Sequence, residues 1–248
     1  MKTLRELIDN ANYIVFFGGA GVSTESNIPD FRSENGLFHA REIYGRTPEE
    51  LVSYTTFANE TELFFEYYKN NLVWPDAEPN NAHKALANLE KEGKLKAIVT
   101  QNVDGLHQKA GSKVVYELHG SVNRNFCMSC FREYDLAYIL DDSNCIDKDG
   151  NSGSIPRCKK CGGIVKPDVV LYEEALDDTV VMKAIDAIAK ADLLIVGGTS
   201  LVVYPAAGYL GYFRGDNLVL INKSKTGIDS RADLVINEPI GEVLSEFL

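Results

Sequence analysis

The sequence predicts an α/β fold, a parallel sheet with helices on both faces, together with a smaller helical and cysteine-bearing module. Three observations carry this. Short apolar runs, each about one strand long, recur between amphipathic segments. Such runs belong to strands buried on both faces, because helices cover both sides of a parallel sheet. The first run ends in Gly18-Gly19-Ala20-Gly21, a tight turn at a strand's carboxyl end. Residues 119–165 then break the rhythm with a polar stretch that holds all five cysteines.

The elements follow in order. Thr3 and Glu6 have capping-box spacing, with Leu7 and Ile8 on one face behind them, which predicts a helix over 3–11. Residues 13–17 (YIVFF) are a buried strand. Residues 47–73 read as helical, with Pro48 at one start and Thr61 as a second cap. Asn80 or Asn81 caps the next helix, whose buried face carries Ala82, Ala85, Leu86 and Leu89, and Gly93 ends it. Strands are predicted over 96–100, 114–118, 193–196, 218–221 and 234–236. Between them, Asp178 caps a helix that buries Val181, Ala184, Ile185 and Ile188, and Pro205 opens another. This assigns residues 1–38, 82–119 and 166–248 to a discontinuous sheet domain, and 39–81 and 120–165 to two inserts that form a small domain.

With 248 residues, 45% of them hydrophobic, the chain can bury a core without disulfides. A net charge of −11 excludes a nucleic-acid binder, which needs cations to displace phosphate counterions, and suits a basic, lysine-bearing peptide. There is no run of about eighteen apolar residues and no signal-like N-terminus, so neither a membrane span nor secretion is expected; the expected setting is cytoplasmic. In that setting the pairs Cys127/Cys130 and Cys158/Cys161 point to a metal more than to disulfides. Two Cys-x-x-Cys knuckles supply the four corners of a tetrahedral zinc site, closed and therefore structural. Cys145 is left over as a spectator.

A strand, a glycine turn and a helix start can hold a dinucleotide pyrophosphate, because glycine admits the backbone and the helix offers N–H donors. Here Thr24 stands in the place of the third glycine, and no acid closes a second strand about twenty residues on. Taken alone, the loop is equally a plain strand-to-helix turn. It runs on, however, through GAGVSTESNIPDFRS (19–33), followed in order by TQNVDGLHQKAG (100–111), ELHGS (117–121), the two cysteine pairs, GGTSLVVYPA (197–206) and INKS (221–224). This ordered set resembles the sirtuin family over nearly the whole chain. The resemblance implies a Rossmann-like NAD-binding domain with a zinc-ribbon module. It implies an NAD-dependent protein-lysine deacetylase that passes the acetyl group to ADP-ribose and releases nicotinamide. Mono-ADP-ribosyl transfer from the same site, or an NAD-sensing module without turnover, are the alternatives.

The resemblance also implies roles. His119 is the general base; a histidine titrates near neutrality and can take a proton from a ribose hydroxyl. Gln101 contacts ribose, Asn102 orients it or a water, and Asp104, beside Val103, accepts from the nicotinamide amide. Gly19, Ala20, Gly21 and Thr24 belong to the cofactor loop, Phe31 and Arg32 to the wall over the nicotinamide ribose, and Gly198, Thr199, Ser200 and Asn222 to the ribose and phosphate side. Residues 166–174 (KPDVVLYEE) resemble the substrate strand. There Val169, Val170, Leu171 and Tyr172 receive an acetyl-lysine peptide by backbone pairing against the loop after Gly198. Leu171 stands in a usually aromatic place and Glu173 in a glycine place. Sirtuins that prefer succinyl or malonyl groups carry a Tyr-x-x-Arg pair where this chain has Phe65 and Tyr68, which predicts an aromatic wall suited to acetyl.

Overall fold

Thr3 Oγ1 accepts from the Glu6 N–H at 3.2 Å and Glu6 Oε2 accepts from the Thr3 N–H at 2.8 Å, so the expected capping box forms and helix Leu4–Asn10 follows it. The computed structural model describes residues 2–30, 40–147 and 149–248; Phe31 and Arg32, both assigned to the cofactor wall, lie outside the described residues. Eleven strands are described: β1 (Ile14–Gly18), β2 (Leu95–Thr100), β3 (Val115–Glu117), β4 (Gly120–Cys127), β5 (Glu133–Tyr134), β6 (Cys145–Ile146), β7 (Ile155–Pro156), β8 (Val165–Val169), β9 (Leu193–Gly197), β10 (Asn217–Ile221) and β11 (Leu234–Ile236).

Six of them form one parallel sheet in the order β11-β10-β9-β1-β2-β3. Alternation along β1 explains its unbroken apolar run. Ile14 and Phe16 join a core with Leu7, Ile8, Leu86, Leu89 and Ile240, while Val15 and Phe17 join the opposite core with Ala184, Ala187, Ile188 and Leu210. Among the described residues no helix is long and apolar enough to cross a membrane.

β4 leaves this sheet and pairs antiparallel with β5 and β8 in a separate three-stranded sheet. Its core holds Phe57, Phe64, Phe65, Tyr68, Val122, Ile139 and Val165, so the helix Thr61–Asn71 and the cysteine-bearing stretch share one apolar interior.

Several local expectations are corrected. Residues 47–73 form three helices, Pro48–Leu51, Tyr54–Asn59 and Thr61–Asn71. Thr61 does not cap the last, because its Oγ1 donates to the Phe57 carbonyl at 2.8 Å; Glu60 holds the cap position. Asp177, not Asp178, caps helix Asp178–Lys190, its Oδ1 accepting from the N–H groups of Thr179 at 2.7 Å and Val180 at 3.0 Å. Val181 and Ile185 are only half-buried there, and Ala187 takes the buried position. The segment after Pro205 is a 3₁₀ helix, Ala206–Tyr212, with Gly208 and Gly211 inside it; glycine weakens an α-helix interior. The glycine turn after β1 also enters no α-helix, but two 3₁₀ turns, Ala20–Val22 and Thr24–Ser26. Asn27, left-handed at φ 62, closes the second turn, and Pro29 disfavours helix at the residue before it.

His83 and His107 pack on each other with ring centroids 4.8 Å apart. Both are buried, and the Asn80 N–H donates to His83 Nδ1 at 3.3 Å, as in a helix cap. Burial lowers His83 to about 4, and burial together with the neighbouring His83 ring holds His107 well below its ordinary value. Both therefore fold neutral. The stability they carry is complete above about 6.5, the unfolded histidine value, and is lost as pH falls from there toward 4, where the unfolded chain takes up protons that the folded one refuses. We expect urea midpoints to fall between pH 7 and pH 5, and His107→Leu to flatten that slope whatever it does to stability at pH 7. An unchanged slope in the variant would remove the pair as a source of acid sensitivity.

Candidate active site

A cavity of about 300 Å³ opens at the carboxyl ends of β1, β2 and β9. The chain crosses from β1 to β2 on one side while β9 lies on the other, so this is the point where strand order reverses and where open parallel sheets bind ligands. The Gly21 N–H donates to the Gly198 carbonyl at 2.8 Å. A Cβ on Gly21 would stand 2.8 Å from Gly198 Cα, and Gly198 is left-handed at φ 58. These glycines let the loops after β1 and β9 touch backbone to backbone.

Ala20, Gln101, Asn102, Val103, Asp104, His119, Gly198, Thr199 and Ser200 line the cavity, and so do Val169, Val170, Leu171 and Tyr172. The residues expected to hold cofactor and those expected to hold peptide thus meet in one space. Gly19, Gly21, Thr24 and Asn222 are not among the lining residues; Thr24 Oγ1 donates to the Gly21 carbonyl at 3.0 Å, and Asn222 Nδ2 to the Ser224 carbonyl at 2.7 Å.

A polar chain crosses the floor. Asn102 Nδ2 donates to Ser23 Oγ at 3.0 Å, and Ser23 Oγ donates to Asp104 Oδ2 at 2.6 Å. The Leu106 N–H donates to Asp104 Oδ1 at 2.9 Å. Burial pushes the Asp104 carboxyl up, and the bonds from Ser23 and Leu106 partly offset it. Gln101 Nε2 is buried with no partner among the described residues, a donor awaiting an acceptor in the cavity it lines. His119 Nδ1 lies 2.9 Å from the Gln101 carbonyl oxygen. A carbonyl only accepts, so Nδ1 carries the proton and Nε2 keeps the lone pair of a base.

The Val169–Tyr172 segment, expected to receive the peptide, is more occupied than an open strand edge. Val170 donates to the His119 carbonyl at 3.0 Å, Leu171 to Glu174 Oε2 at 2.8 Å, and Tyr172 to the Val52 carbonyl at 3.1 Å. The Val170 carbonyl has no hydrogen-bond partner among the described residues.

Phe65 and Tyr68 are fully buried in the module's core and do not line the cavity, which corrects the expected aromatic wall. Val52, Asn71, Leu72 and Trp74 occupy that side. Sequence reasoning passes over these four and over Ser23. Ser23 sits inside the GAGVSTES block, whereas the others give only the apolar spacing of packed helices.

In the module, the sulfurs of Cys127, Cys130, Cys158 and Cys161 all lie within 4.8 Å of one another. Cys127 and Cys161 are 3.4 Å apart and Cys130 and Cys158 3.6 Å, with no disulfide among them. A tetrahedron with zinc–sulfur bonds of about 2.3 Å has edges of about 3.8 Å, so the thiols fit zinc. The Ser129 and Lys160 N–H groups point at the Cys127 and Cys158 sulfurs, both at 3.4 Å. Cys145 stands apart, 3.3 Å from Lys69 Nζ.

A family model described as the Sir2 family matches residues 19–205. The chain belongs to the Sir2 family. It is 63% identical to an NAD-dependent protein deacetylase of Clostridium perfringens over 100% of this chain and 98% of that one. It is 58% identical to a protein of the same name from Clostridium acetobutylicum, over 98% and 96%. Among solved structures, a Sir2–p53 peptide–NAD+ complex superposes with TM-score 0.85 at 33% identity, covering 99% of this chain and 97% of that one. A Sir2 homologue–NAD complex superposes with TM-score 0.84 at 35% identity, covering 100% and 93%.

The four-thiol geometry makes a quantitative expectation. Metal analysis of the purified protein should find one zinc per chain, and Cys127→Ser should lower that content and expose the module to protease, because metal binding supplies its folding energy. Zinc-free protein with an intact, protease-resistant module would overturn this.

Proposed function

We propose that this chain is an NAD-dependent protein-lysine deacetylase acting through the cavity at the sheet's switch point. The observation that carries the proposal is the single cavity shared by His119, the Gln101–Asp104 segment, the loop after β9 and the Val169–Tyr172 segment. NAD, when bound, supplies the ADP-ribose that accepts the acetyl group and gives up nicotinamide. Everything else falls to the chain's own groups. Gln101 fixes the His119 tautomer through its carbonyl, so that Nε2 can take a proton from a ribose hydroxyl. Gln101 Nε2 donates to the cofactor. Asp104, with Ser23 behind it, accepts from the amide of the nicotinamide, and Asn102 is held in place through the same serine. Gly19, Ala20 and Gly21, with Thr24 bracing their turn, bring backbone to the pyrophosphate, and Phe31 and Arg32, outside the described residues, are assigned to the wall over the nicotinamide ribose. Thr199, Ser200 and Asn222 serve the ribose and phosphate side after β9 and β10. Val169, Val170, Leu171 and Tyr172 hold the acetyl-lysine peptide and, with Val52 and Leu72, exclude water. The four cysteines hold a structural zinc outside the chemistry. The proposed setting is the cytoplasm.

Incubation with NAD and acetylated peptides should release nicotinamide and deacetylated peptide in equal amounts. Transfer of ADP-ribose onto protein, seen by product mass, would instead assign the other reaction. His119→Ala should retain NAD binding and lose deacetylation by roughly a hundredfold or more, the usual scale for a general base; near-normal turnover would remove it as the base. Acyl choice follows from charge. Asp30, Asp104, Glu173 and Glu174 line the cavity, and among the described lining residues there is no lysine or arginine. A succinyl carboxylate would be buried without a cationic partner among the described lining residues. The kcat/KM for acetyl-lysine should therefore exceed that for succinyl-lysine on the same peptide, and the reverse order would sink the pocket assignment.

A further inference from the structure

Glu173 is held in a conformation its side chain does not favour. Its φ is +77, in the left-handed region where a Cβ crowds the backbone and glycine is the usual occupant. Something must compensate. Glu173 Oε2 accepts from the Thr55 N–H at 2.9 Å and from Thr55 Oγ1 at 2.8 Å. Thr55 lies in the first turn of helix Tyr54–Asn59, which belongs to the helical segment far away in sequence. On the residue before, Tyr172 forms a parallel bridge with Ser53: its N–H donates to the Val52 carbonyl at 3.1 Å, and its carbonyl accepts from the Tyr54 N–H at 3.0 Å. On the residue after, Glu174 Oε2 accepts from the Leu171 N–H at 2.8 Å and from Lys166 Nζ at 3.0 Å.

These bonds surround the stretch that forms the peptide wall. Lys166 and Glu174 brace Leu171, whereas Glu173 is the one of the two adjacent acids that reaches helix Tyr54–Asn59. Glu173 itself lines the cavity.

We propose that Glu173 is a positioning residue for the peptide: its carboxylate bolts the Val169–Tyr172 wall to helix Tyr54–Asn59 and so sets the geometry in which the peptide backbone meets the Val170 carbonyl. It acts through Tyr172 and Thr55 and touches neither NAD nor the reacting atoms. This rests on the deacetylase reading given above, and the wild-type control separates the two: an inactive wild type defeats that reading, whereas an active wild type with an indifferent residue 173 defeats only this one.

The test is steady-state kinetics on the zinc-loaded full chain with an acetyl-lysine peptide. Glu173→Ala should raise the peptide KM by about five- to tenfold, the scale of one to two lost hydrogen bonds, with kcat and the KM for NAD within about twofold. Glu173→Gln keeps an acceptor oxygen for both Thr55 donors and should restore most of the peptide KM. Thr55→Val removes the hydroxyl partner alone; its effect should be partial and should vanish in the Glu173→Ala background, since the two groups form one interaction. Melting curves of all variants confirm that they remain folded. Three results would overturn the proposal. One is a peptide KM in Glu173→Ala within twofold of wild type. The second is a parallel rise in the NAD KM, which marks general loosening. The third is a Glu173→Gln variant as impaired as Glu173→Ala, which would mean that the charge, attracting basic peptides, does the work rather than the bolt.

Discussion

The site depends on one backbone contact, the Gly21 N–H on the Gly198 carbonyl. Two loops leaving neighbouring parallel strands can touch this closely only where neither carries a Cβ at the meeting point, and both positions are glycine. Ala20 and Ser23 on one loop, and Thr199 and Ser200 on the other, are thereby brought to one cavity. Ser23 then holds Asp104 and Asn102, which arrive from β2. A side chain at Gly21 would displace the loop after β9, and with it one wall of the cavity.

The sheet supplies rigidity to that contact. β1 and β9 are buried on both faces throughout, so their carboxyl ends have little freedom to shift. The small module is attached more economically. β4 continues directly from His119 and pairs with β8, so the candidate base and the peptide wall are neighbouring stretches of a single antiparallel pair. Arg124 pins the junction, donating to Glu117 at 2.7 Å and to Asp168 at 2.9 Å. The thiol cluster lies at the far end of β4, where it can hold the module closed without meeting the cavity. The metal and the chemistry are thus separated in space but joined through one strand.

Although the net charge is −11, Glu174 is tied to Lys166 and Asp104 accepts from Ser23 at the cavity floor, so much of the acid near the site is engaged in structure. Burial raises Asp104 rather than lowering it, which means that its bonds to Ser23 and Leu106 do not fully compensate for lost water. A further hydrogen-bond donor would relieve that imbalance, which is a physical reason for the carboxylate to suit the role proposed for it.

Much of the fold was legible in the sequence because its signals are local. Apolar runs of strand length, the capping box at Thr3 and Glu6, the glycine turn and the Cys-x-x-Cys spacing each depend on residues a few positions apart, and each element appears where those residues stand. The ordered blocks likewise pointed to Gln101, Asp104, His119 and the Val169–Tyr172 segment before any contact was known. Other features depend on distance across the chain and had no local signal. Glu60 rather than Thr61 caps a helix because Thr61 finds the Phe57 carbonyl of the helix before it. Phe65 and Tyr68 face a core rather than the cavity because the cysteine-bearing stretch packs on them, a contact between segments dozens of residues apart. The sequence by itself determined the six strands of the parallel sheet and the four clustered thiols, since local spacing and residue type suffice for those. The tertiary structure alone decided which groups face the cavity, which acids are already spent in hydrogen bonds, and that Glu173 would bind Thr55, because those outcomes rest on packing between segments that no local pattern encodes.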